Sequence, residues 1–137
     1  NIYSGGPLNI RMTFEANQDL PSPWFNFQVR PLDQQIIIAS INRPIDEPRP
    51  SFKKGLHVVD IHMPKTPLLQ GRYSIGVVIH NGLDILQRHG RIEHLAILEI
   101  SSNPGQLWQS GTYVELEAQW NTSQKSDNIT KQYDPID

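Results

Sequence analysis

The chain has 137 residues, a net charge of −2 and no cysteine, and 37% of its residues are hydrophobic. This length suits a single domain, and a small negative charge without a basic stripe excludes an electrostatic nucleic-acid interface. No apolar run approaches the roughly 20 residues that cross a bilayer, so direct membrane insertion is not expected.

Short stretches of alternating apolar and polar residues recur along the chain, and this period of two indicates β-strands. Strands are predicted at residues 8–14, 24–30, 35–42, 56–63, 73–80, 84–87, 91–100 and 113–120. The run Ile36-Ile37-Ile38 predicts that the third of these strands is covered on both faces. No segment shows a helical period. Eleven prolines and nine glycines punctuate the strands at the spacing typical of an all-β sandwich or barrel.

The connections carry turn and loop signals. Residues 31–34 form a predicted tight turn, and Asn81-Gly82 is a hairpin signal. Residues 43–54 hold three prolines and several charges, which predicts a long exposed loop of the kind that often carries function. After Trp120 the composition becomes polar. Residues 1–120 are therefore predicted to form the sandwich, and residues 121–137 a polar tail that is flexible or docks on a second surface.

The sequence contains no recognisable catalytic or metal-binding set. His57 falls on the opposite strand face from Asp60 and His62, and two ligands do not make a metal site. No nucleophile elbow or phosphate loop occurs. Glu115 and Glu117 are a carboxylate pair that a solvated strand face explains better than a glycosidase site. We therefore predict a protein without enzymatic activity, metal or cofactor.

One strand face has the side chains that sugars require. Trp24, Asn26, Gln28 and Arg30 alternate with the apolar residues of the second strand, and an indole beside amides and a guanidinium suits a pyranose ring. We predict carbohydrate contacts at Trp24, Asn26, Gln28, Arg30 and His80. The competing interpretation is an ordinary exposed face, with Trp24 packed under residues 21–23. An anionic terminus of a glycan could be recognised by Arg30, Arg88 and Arg91. These three arginines are scattered along the sequence, however, and do not by themselves establish such a site.

The order of motifs resembles a known family. The pattern P-x-F-x-F-x-V-R-x-x-D at residues 23–33 precedes the proline-rich loop and a strand that begins with glycine at residues 55–63. The pattern L-L-Q-G-R-Y-S-I-G-V-V-I follows at residues 68–79, and a glycine and a strand ending on tryptophan close the series at residues 111–120. Together these patterns resemble the C-terminal carbohydrate-binding domain of Wzt-type ATP-binding subunits of bacterial polysaccharide ABC exporters. The family's usual glycine in the D-x-x-G turn is absent at Asp33-Gln34-Gln35.

The resemblance implies an immunoglobulin-like or jelly-roll antiparallel β-sandwich, fused behind a nucleotide-binding domain. It implies recognition of an O-antigen-like polysaccharide, often at its non-reducing end, in association with the transmembrane subunit of the exporter. It also implies a cytoplasmic location at the inner face of the membrane and a homodimer, because the exporter has two ATPase subunits. The absence of cysteine agrees with a reducing compartment, and the start at Asn1 suggests a piece of a longer protein.

Two other functions fit the same residues. An immunoglobulin-like interaction or adhesion module would use the strand face to contact protein. A carbohydrate-binding module of a carbohydrate-active enzyme would use it to hold a substrate polysaccharide. An ATP-binding domain in the parent reading frame supports the exporter, whereas a signal peptide there supports either alternative.

Overall fold

Seven β-strands form the scaffold of the computed structural model, which describes residues 1–82, 84–105 and 111–124, without the side chains of residues 84–89 and 93. The strands are β1 (Ile2–Tyr3), β2 (Leu8–Ala16), β3 (Trp24–Pro31), β4 (Ala39–Ile41), β5 (Gly55–Met63), β6 (Gly71–Asn81) and β7 (Asp84–Ser101). The described residues include no helix long and apolar enough to cross a membrane.

The strands make two sheets that pack face to face. One sheet has five strands in the order β1-β7-β6-β3-β4, and the other pairs β2 with β5. All pairs are antiparallel except β1 with β7, so the antiparallel sandwich that we predicted carries one parallel edge pair. The all-β sandwich itself is confirmed. Its core consists of inward residues of both sheets, including Leu8, Met12, Phe27, Val29, Tyr73, Ile75 and Val77.

The strict alternation of apolar and polar residues determines which face of β2 and of β3 packs on the core. In β2 the apolar residues face inward and the polar residues face solvent, so that Met12 is buried and Arg11 and Thr13 are exposed. In β3 the inward residues Phe27 and Val29 are each 2% exposed. Successive strand side chains point to opposite faces, and β3 therefore presents its polar residues on the outer face of the five-stranded sheet.

The edge strand β4 is shorter than predicted. We expected a strand at residues 35–42 covered on both faces, whereas β4 spans only Ala39–Ile41, and Ile36 and Ile37 are 59% and 45% exposed. The ladder begins where the Ile38 amide donates to the Val29 carbonyl oxygen. Pro31 lies two residues further along β3 and has no amide hydrogen to donate to a paired strand. The pairing of β3 with β4 therefore ends at Val29.

Two further predictions about strands need correction. The segments predicted separately at residues 84–87 and 91–100 are parts of one strand, β7, which pairs with β6 through several register shifts. The strand predicted at residues 113–120 is reduced to one isolated bridge between Leu68 and Val114. Beyond it Leu116 and Trp120 are 85% and 87% exposed, since no strand within the described residues covers them.

The predicted turns agree with the structure. The amide of Gln34 donates to the carbonyl oxygen of Pro31 at 3.1 Å, which closes the turn after β3. Asn81 pairs with Asp84 across the β6–β7 hairpin, next to Gly82 with its positive φ of 55°. Residues 43–54 contain no named strand, in agreement with the predicted long loop.

Candidate functional site

The outer face of β3 is the surface on which the predicted sugar contacts meet. Antiparallel register places Trp24 opposite His80 of β6, and Gln28 opposite Ser40 of β4. Directly paired residues of neighbouring strands share a face. The structure therefore brings all five predicted residues, Trp24, Asn26, Gln28, Arg30 and His80, onto one sheet face, although their role toward sugar stays a prediction.

A continuous chain of side-chain hydrogen bonds runs along this face, and we call it the β3 ladder (Arg30, Gln28, Asn26, Asn42 and Ser40). Arg30 Nη2 donates to Gln28 Oε1 at 3.2 Å, and Gln28 Nε2 donates to Asn26 Oδ1 at 3.0 Å. Asn26 Nδ2 then donates to Asn42 Oδ1 at 2.7 Å. Finally, Asn42 Nδ2 donates to Ser40 Oγ at 3.2 Å. Every bond points the same way, so the orientation of each amide is determined by its neighbour.

Trp24 joins the β3 ladder at Asn42. Its indole N–H donates to Asn42 Oδ1 at 3.1 Å, so that Asn42 accepts two hydrogen bonds at once. The guanidinium of Arg49 lies over the indole ring at 5.7 Å, within the range of a cation–π contact. Arg49 also donates to the carbonyl oxygen of Ser22 at 3.0 Å. Trp24 is half-buried, which leaves part of the ring accessible to a ligand.

A cleft opens beside Trp24, at the edge of the sandwich where β4 ends, and we call it the edge cleft. It has a volume of about 300 Å³. Apolar side chains from both sheets line it, namely Phe25, Phe27, Ile41, Val59 and Ile61. Polar groups line it as well, namely Asn42, Arg43, Glu47, Arg49, Asp60 and His62. An apolar surface with a few polar groups is the usual composition of a small-molecule site.

The long loop of residues 43–54 is held over this cleft by its own contacts. Phe52 packs in an aromatic cluster with Phe14, Phe25 and His57, at ring-centroid distances of 5.1–5.6 Å. Arg43 forms an ion pair with Glu47 at 3.3 Å and donates to the carbonyl oxygen of Pro48. Phe52 therefore anchors the end of the loop on the sandwich, the Arg43 contacts brace its first half internally, and Arg49 contacts Ser22 and Trp24.

The histidines and carboxylates on the outer face of β5 are engaged in local contacts. Arg11 donates two hydrogen bonds to Asp60, at 2.7 and 3.2 Å, and this guanidinium lowers the pKa of the Asp60 carboxyl below its usual value. His62 bonds through its ring to the side chain of Asn9. His57 lies on the other face, as predicted. No group of three or more metal-ligating side chains occurs among the residues that the structure describes.

Sequence reasoning missed several residues of this surface. Ser40 and Asn42 share the face of β3 because β4 pairs with it, and their own alternation around Ile41 was a signal available in the sequence. The position of Arg49 against Trp24 had no local signal, because it depends on the path of the long loop. Trp24 contacts Arg49 and Asn42, an environment that the interpretation as an ordinary packed tryptophan did not include.

These features describe an all-β sandwich with an ordered polar sheet face beside a small cleft. The chain belongs to the Wzt C-terminal domain family, whose family model matches residues 1–114. A solved structure described as the crystal structure of the C-terminal domain of wzt is similar, with a TM-score of 0.69. That match is 14% identical and covers 89% of this chain and 73% of the other. Membership supports a role in the O-antigen ABC exporter system, in a family of non-catalytic substrate-binding domains.

Proposed function

We propose that this domain binds an O-antigen-like polysaccharide for export by an ABC transporter, and that the β3 ladder and Trp24 form the binding surface. The observation that carries the proposal is the ladder itself. Its amides are held in single orientations by one another, so a ligand does not have to order them on binding. Such preorganisation saves the entropy that rotamer-rich side chains otherwise lose in a complex.

The ladder also retains hydrogen-bonding capacity that suits sugar hydroxyls. Asn26 and Gln28 each donate one N–H and accept one hydrogen bond within the ladder. An amide has two N–H groups and two acceptor positions. Each of these two side chains therefore keeps a donor and an acceptor, and a hydroxyl group, which both donates and accepts, fits such a pair.

The edge cleft supports recognition of a chain end. Its volume of about 300 Å³ is at the lower end of the range for small-molecule sites, roughly 300–1,000 Å³. A terminal sugar enters such a cleft and packs on Trp24, while the remainder of the polysaccharide stays outside. This geometry favours a chain end as the recognised element, and the family resemblance indicates the non-reducing end.

The place of the domain in the exporter is part of the same proposal. The parent chain carries a nucleotide-binding domain ahead of these residues and assembles with the transmembrane subunit at the cytoplasmic face of the membrane. There the domain holds the finished glycan before transport. Membership in the Wzt C-terminal domain family supports this arrangement.

Self-association completes the proposal. Residues 113–115 pair with residues 67–69 through two backbone hydrogen bonds, but the segment that follows exposes Leu116 and Trp120. Exposed apolar residues on an unpaired strand form an association surface. We propose that a second copy of the chain covers them in a two-fold arrangement, which matches the two ATPase subunits of an exporter.

Calorimetric titration of the domain with the glycan exported by its own host tests the proposed function. We expect weak binding that is unchanged by a chelator, because the ladder supplies hydrogen bonds without a metal ion. A polysaccharide that the host does not export is the control. Binding that disappears in the chelator would reveal a cation site, and equal binding of both polysaccharides would refute specific recognition.

A further inference from the structure

Arg49 joins three segments of the chain around Trp24. Its guanidinium lies over the indole ring, 5.7 Å from the ring centroid, and its Nε donates to the carbonyl oxygen of Ser22 at 3.0 Å. Its Nη2 also reaches the β6–β7 turn, since a Cβ atom on Gly82 would lie 3.8 Å from it. Arg49 is half-buried and forms no ion pair with the described residues. One side chain of the long loop therefore contacts both the start of β3 and the turn of the neighbouring hairpin.

The loop residues that follow Arg49 are bonded to the segment that precedes β3. Leu20 and Phe52 exchange two backbone hydrogen bonds, at 2.7 and 2.9 Å. The amide of Ser22 donates to Oγ of Ser51 at 3.1 Å. This part of the long loop is therefore paired with its neighbour, and the backbone of Arg49 is held in place before any ligand binds.

The guanidinium of Arg49 closes one face of the indole to a sugar. Carbon atoms in contact lie about 3.5–4.0 Å apart, so a sugar ring between two groups needs about 7 Å or more between them. The guanidinium carbon is only 5.7 Å from the centroid of the Trp24 ring. A sugar therefore does not fit between Arg49 and Trp24, and it has access only to the part of the ring that the guanidinium leaves uncovered.

The indole of Trp24 is held at two points. Its Nε1 donates to Asn42 Oδ1 at 3.1 Å, which fixes the polar edge of the ring. The cation of Arg49 attracts the face of the ring. A ring that is already fixed at its edge and at its face loses little further freedom when a ligand binds, and this lowers the entropic cost of the complex.

We propose that Arg49 is a positioning residue for Trp24: it covers one face of the indole and fixes the ring, so that a glycan contacts Trp24 only on the surface that the guanidinium leaves uncovered. This inference rests on the proposed function, since it states how the binding surface presents its aromatic contact. Arg49 acts through the ring of Trp24 and not by a bond to the sugar. The long loop thereby determines how the sugar lies on Trp24.

Nuclear magnetic resonance of the indole N–H groups tests the positioning in the 137-residue chain without a ligand. The chain has three tryptophans, and the signal of Trp24 is the one that Trp24→Phe lacks. We expect Arg49→Met to shift and broaden this signal, because the ring loses the contact at its face. Arg49→Lys should keep the signal close to its parent position, since a cation remains over the ring. Lys53→Met is the matched control, because Lys53 is an exposed cation of the same loop, and it should leave the signal unchanged.

Calorimetric titration of the same variants with the host glycan tests the consequence for binding. Arg49→Met should weaken binding about two- to fivefold, the equivalent of a cation–π contact at a partly exposed site. Arg49→Lys should restore most of the affinity. Thermal unfolding identifies a purely structural arginine, for which Arg49→Met would melt at a lower temperature while the affinity of the folded molecules and the Trp24 signal stay unchanged.

The two readouts separate this inference from the proposed function. An unchanged Trp24 signal in Arg49→Met overturns the inference, whether or not the glycan binds. A weaker affinity with an unchanged signal overturns it as well, because Arg49 would then contact the glycan directly. A changed signal with the full affinity of the parent also overturns it, since binding would not depend on the position of the ring. If the signal changes as expected and the parent chain binds no glycan, the positioning of Trp24 stands and the proposed function alone fails.

Discussion

Trp24 connects the three parts of the proposed binding surface. Its indole N–H belongs to the β3 ladder through Asn42, its ring contacts Arg49 from the long loop, and its edge lines the edge cleft. A large aromatic side chain in this position covers the apolar face of a sugar, while the polar atoms beside it are already oriented. Substitution of this side chain therefore tests the proposed glycan contact directly.

The substitution Trp24→Ala should weaken binding of the host glycan by about 1–3 kcal/mol, the range for burial of a large apolar side chain. The fold should survive, since Trp24 is only half-buried and most of the core lies on the opposite face of β3. Calorimetry measures the affinity and thermal unfolding measures the fold.

Trp24→Phe is the matched variant, because it keeps a ring but removes the hydrogen bond to Asn42. It should lose less affinity than Trp24→Ala. A protein that unfolds while each folded molecule binds glycan with full affinity would show that Trp24 is a core residue and not a sugar contact.

Strand β6 and the segment at residues 113–115 are joined by the motif Leu69-x-Gly71-x-Tyr73. The hydroxyl of Tyr73 donates to the carbonyl oxygen of Leu69 at 2.7 Å, and the ring is 1% exposed. A Cβ atom on Gly71 would be in ordinary van der Waals contact with that hydroxyl oxygen, at 3.4 Å, so the ring packs directly against the backbone of residue 71. A buried tyrosine that bonds to the backbone a few residues upstream is a known device of immunoglobulin-like sandwiches.

Replacing Tyr73 by phenylalanine should lower the free energy of unfolding by about 1–3 kcal/mol, because the Leu69 carbonyl loses its partner in a buried position. Burial raises the pKa of Tyr73, and the neighbouring Tyr113 adds to the shift. Above pH 10 the unfolded chain therefore loses this proton before the folded chain, and stability falls as pH rises. Denaturant unfolding between pH 8 and 11 should show a shallower decline for Tyr73→Phe than for the parent.

Tyr3→Phe is the control for that experiment, because Tyr3 is 46% exposed on β1. It should reproduce the stability of the parent chain at neutral pH and decline with pH as the parent does. If Tyr73→Phe and the parent lose stability equally steeply, ionisation of Tyr73 is not what destabilises the fold in alkali.

The segment after the sandwich is the association surface that we propose. Among the described residues its backbone pairing with residues 67–69 ends at Glu115, and Leu116 and Trp120 are exposed. The tail also contains Ile129, Tyr133 and Ile136, which the sequence offers as apolar anchors for a second chain, but these residues lie outside the described part of the structure. A dimer that buries Leu116 and Trp120 would complete the sheet edge and remove the exposed apolar surface.

We expect the 137-residue chain to sediment as a dimer. The double variant Leu116→Ser, Trp120→Ser should dissociate at least about tenfold more readily, since burial of a leucine-sized side chain contributes about 1.5–3 kcal/mol. Ile45→Ser is the matched control, because Ile45 is 75% exposed in the long loop, away from this segment, and it should remain dimeric.

A chain shortened to residues 1–120 separates the contribution of the tail from that of the sandwich. If the 137-residue chain is a dimer and the shortened chain is a monomer, residues 121–137 hold the dimer together. If both chains are dimers, the contacts lie in the sandwich and its last segment, within residues 1–120. Monomers in both forms would contradict self-association.

Local alternation was sufficient to predict most of the sandwich and the central row of the candidate site. The period of two in β2, β3, β5 and β6 is a property of each segment alone, because side chains on successive strand residues must point to opposite faces. The same rule placed Trp24, Asn26, Gln28 and Arg30 on one face before any neighbour was known. The family match over residues 1–114 confirms the resemblance, and the two sheets confirm the all-β sandwich that it implied.

The lengths of the edge strands and the contacts around Trp24 were decided by pairing between segments that are distant in the sequence. The length of β4 depends on Pro31 of its neighbour, and the predicted strand at residues 113–120 forms backbone pairs with residues 67–69 only as far as Glu115 among the described residues. Asn42 and Arg49 reach Trp24 only because an edge strand and a long loop return to it. The burial of Arg30 is likewise decided by the tertiary structure. Alternation along a strand assigns a side chain to a face, but only tertiary contacts determine what surrounds it there.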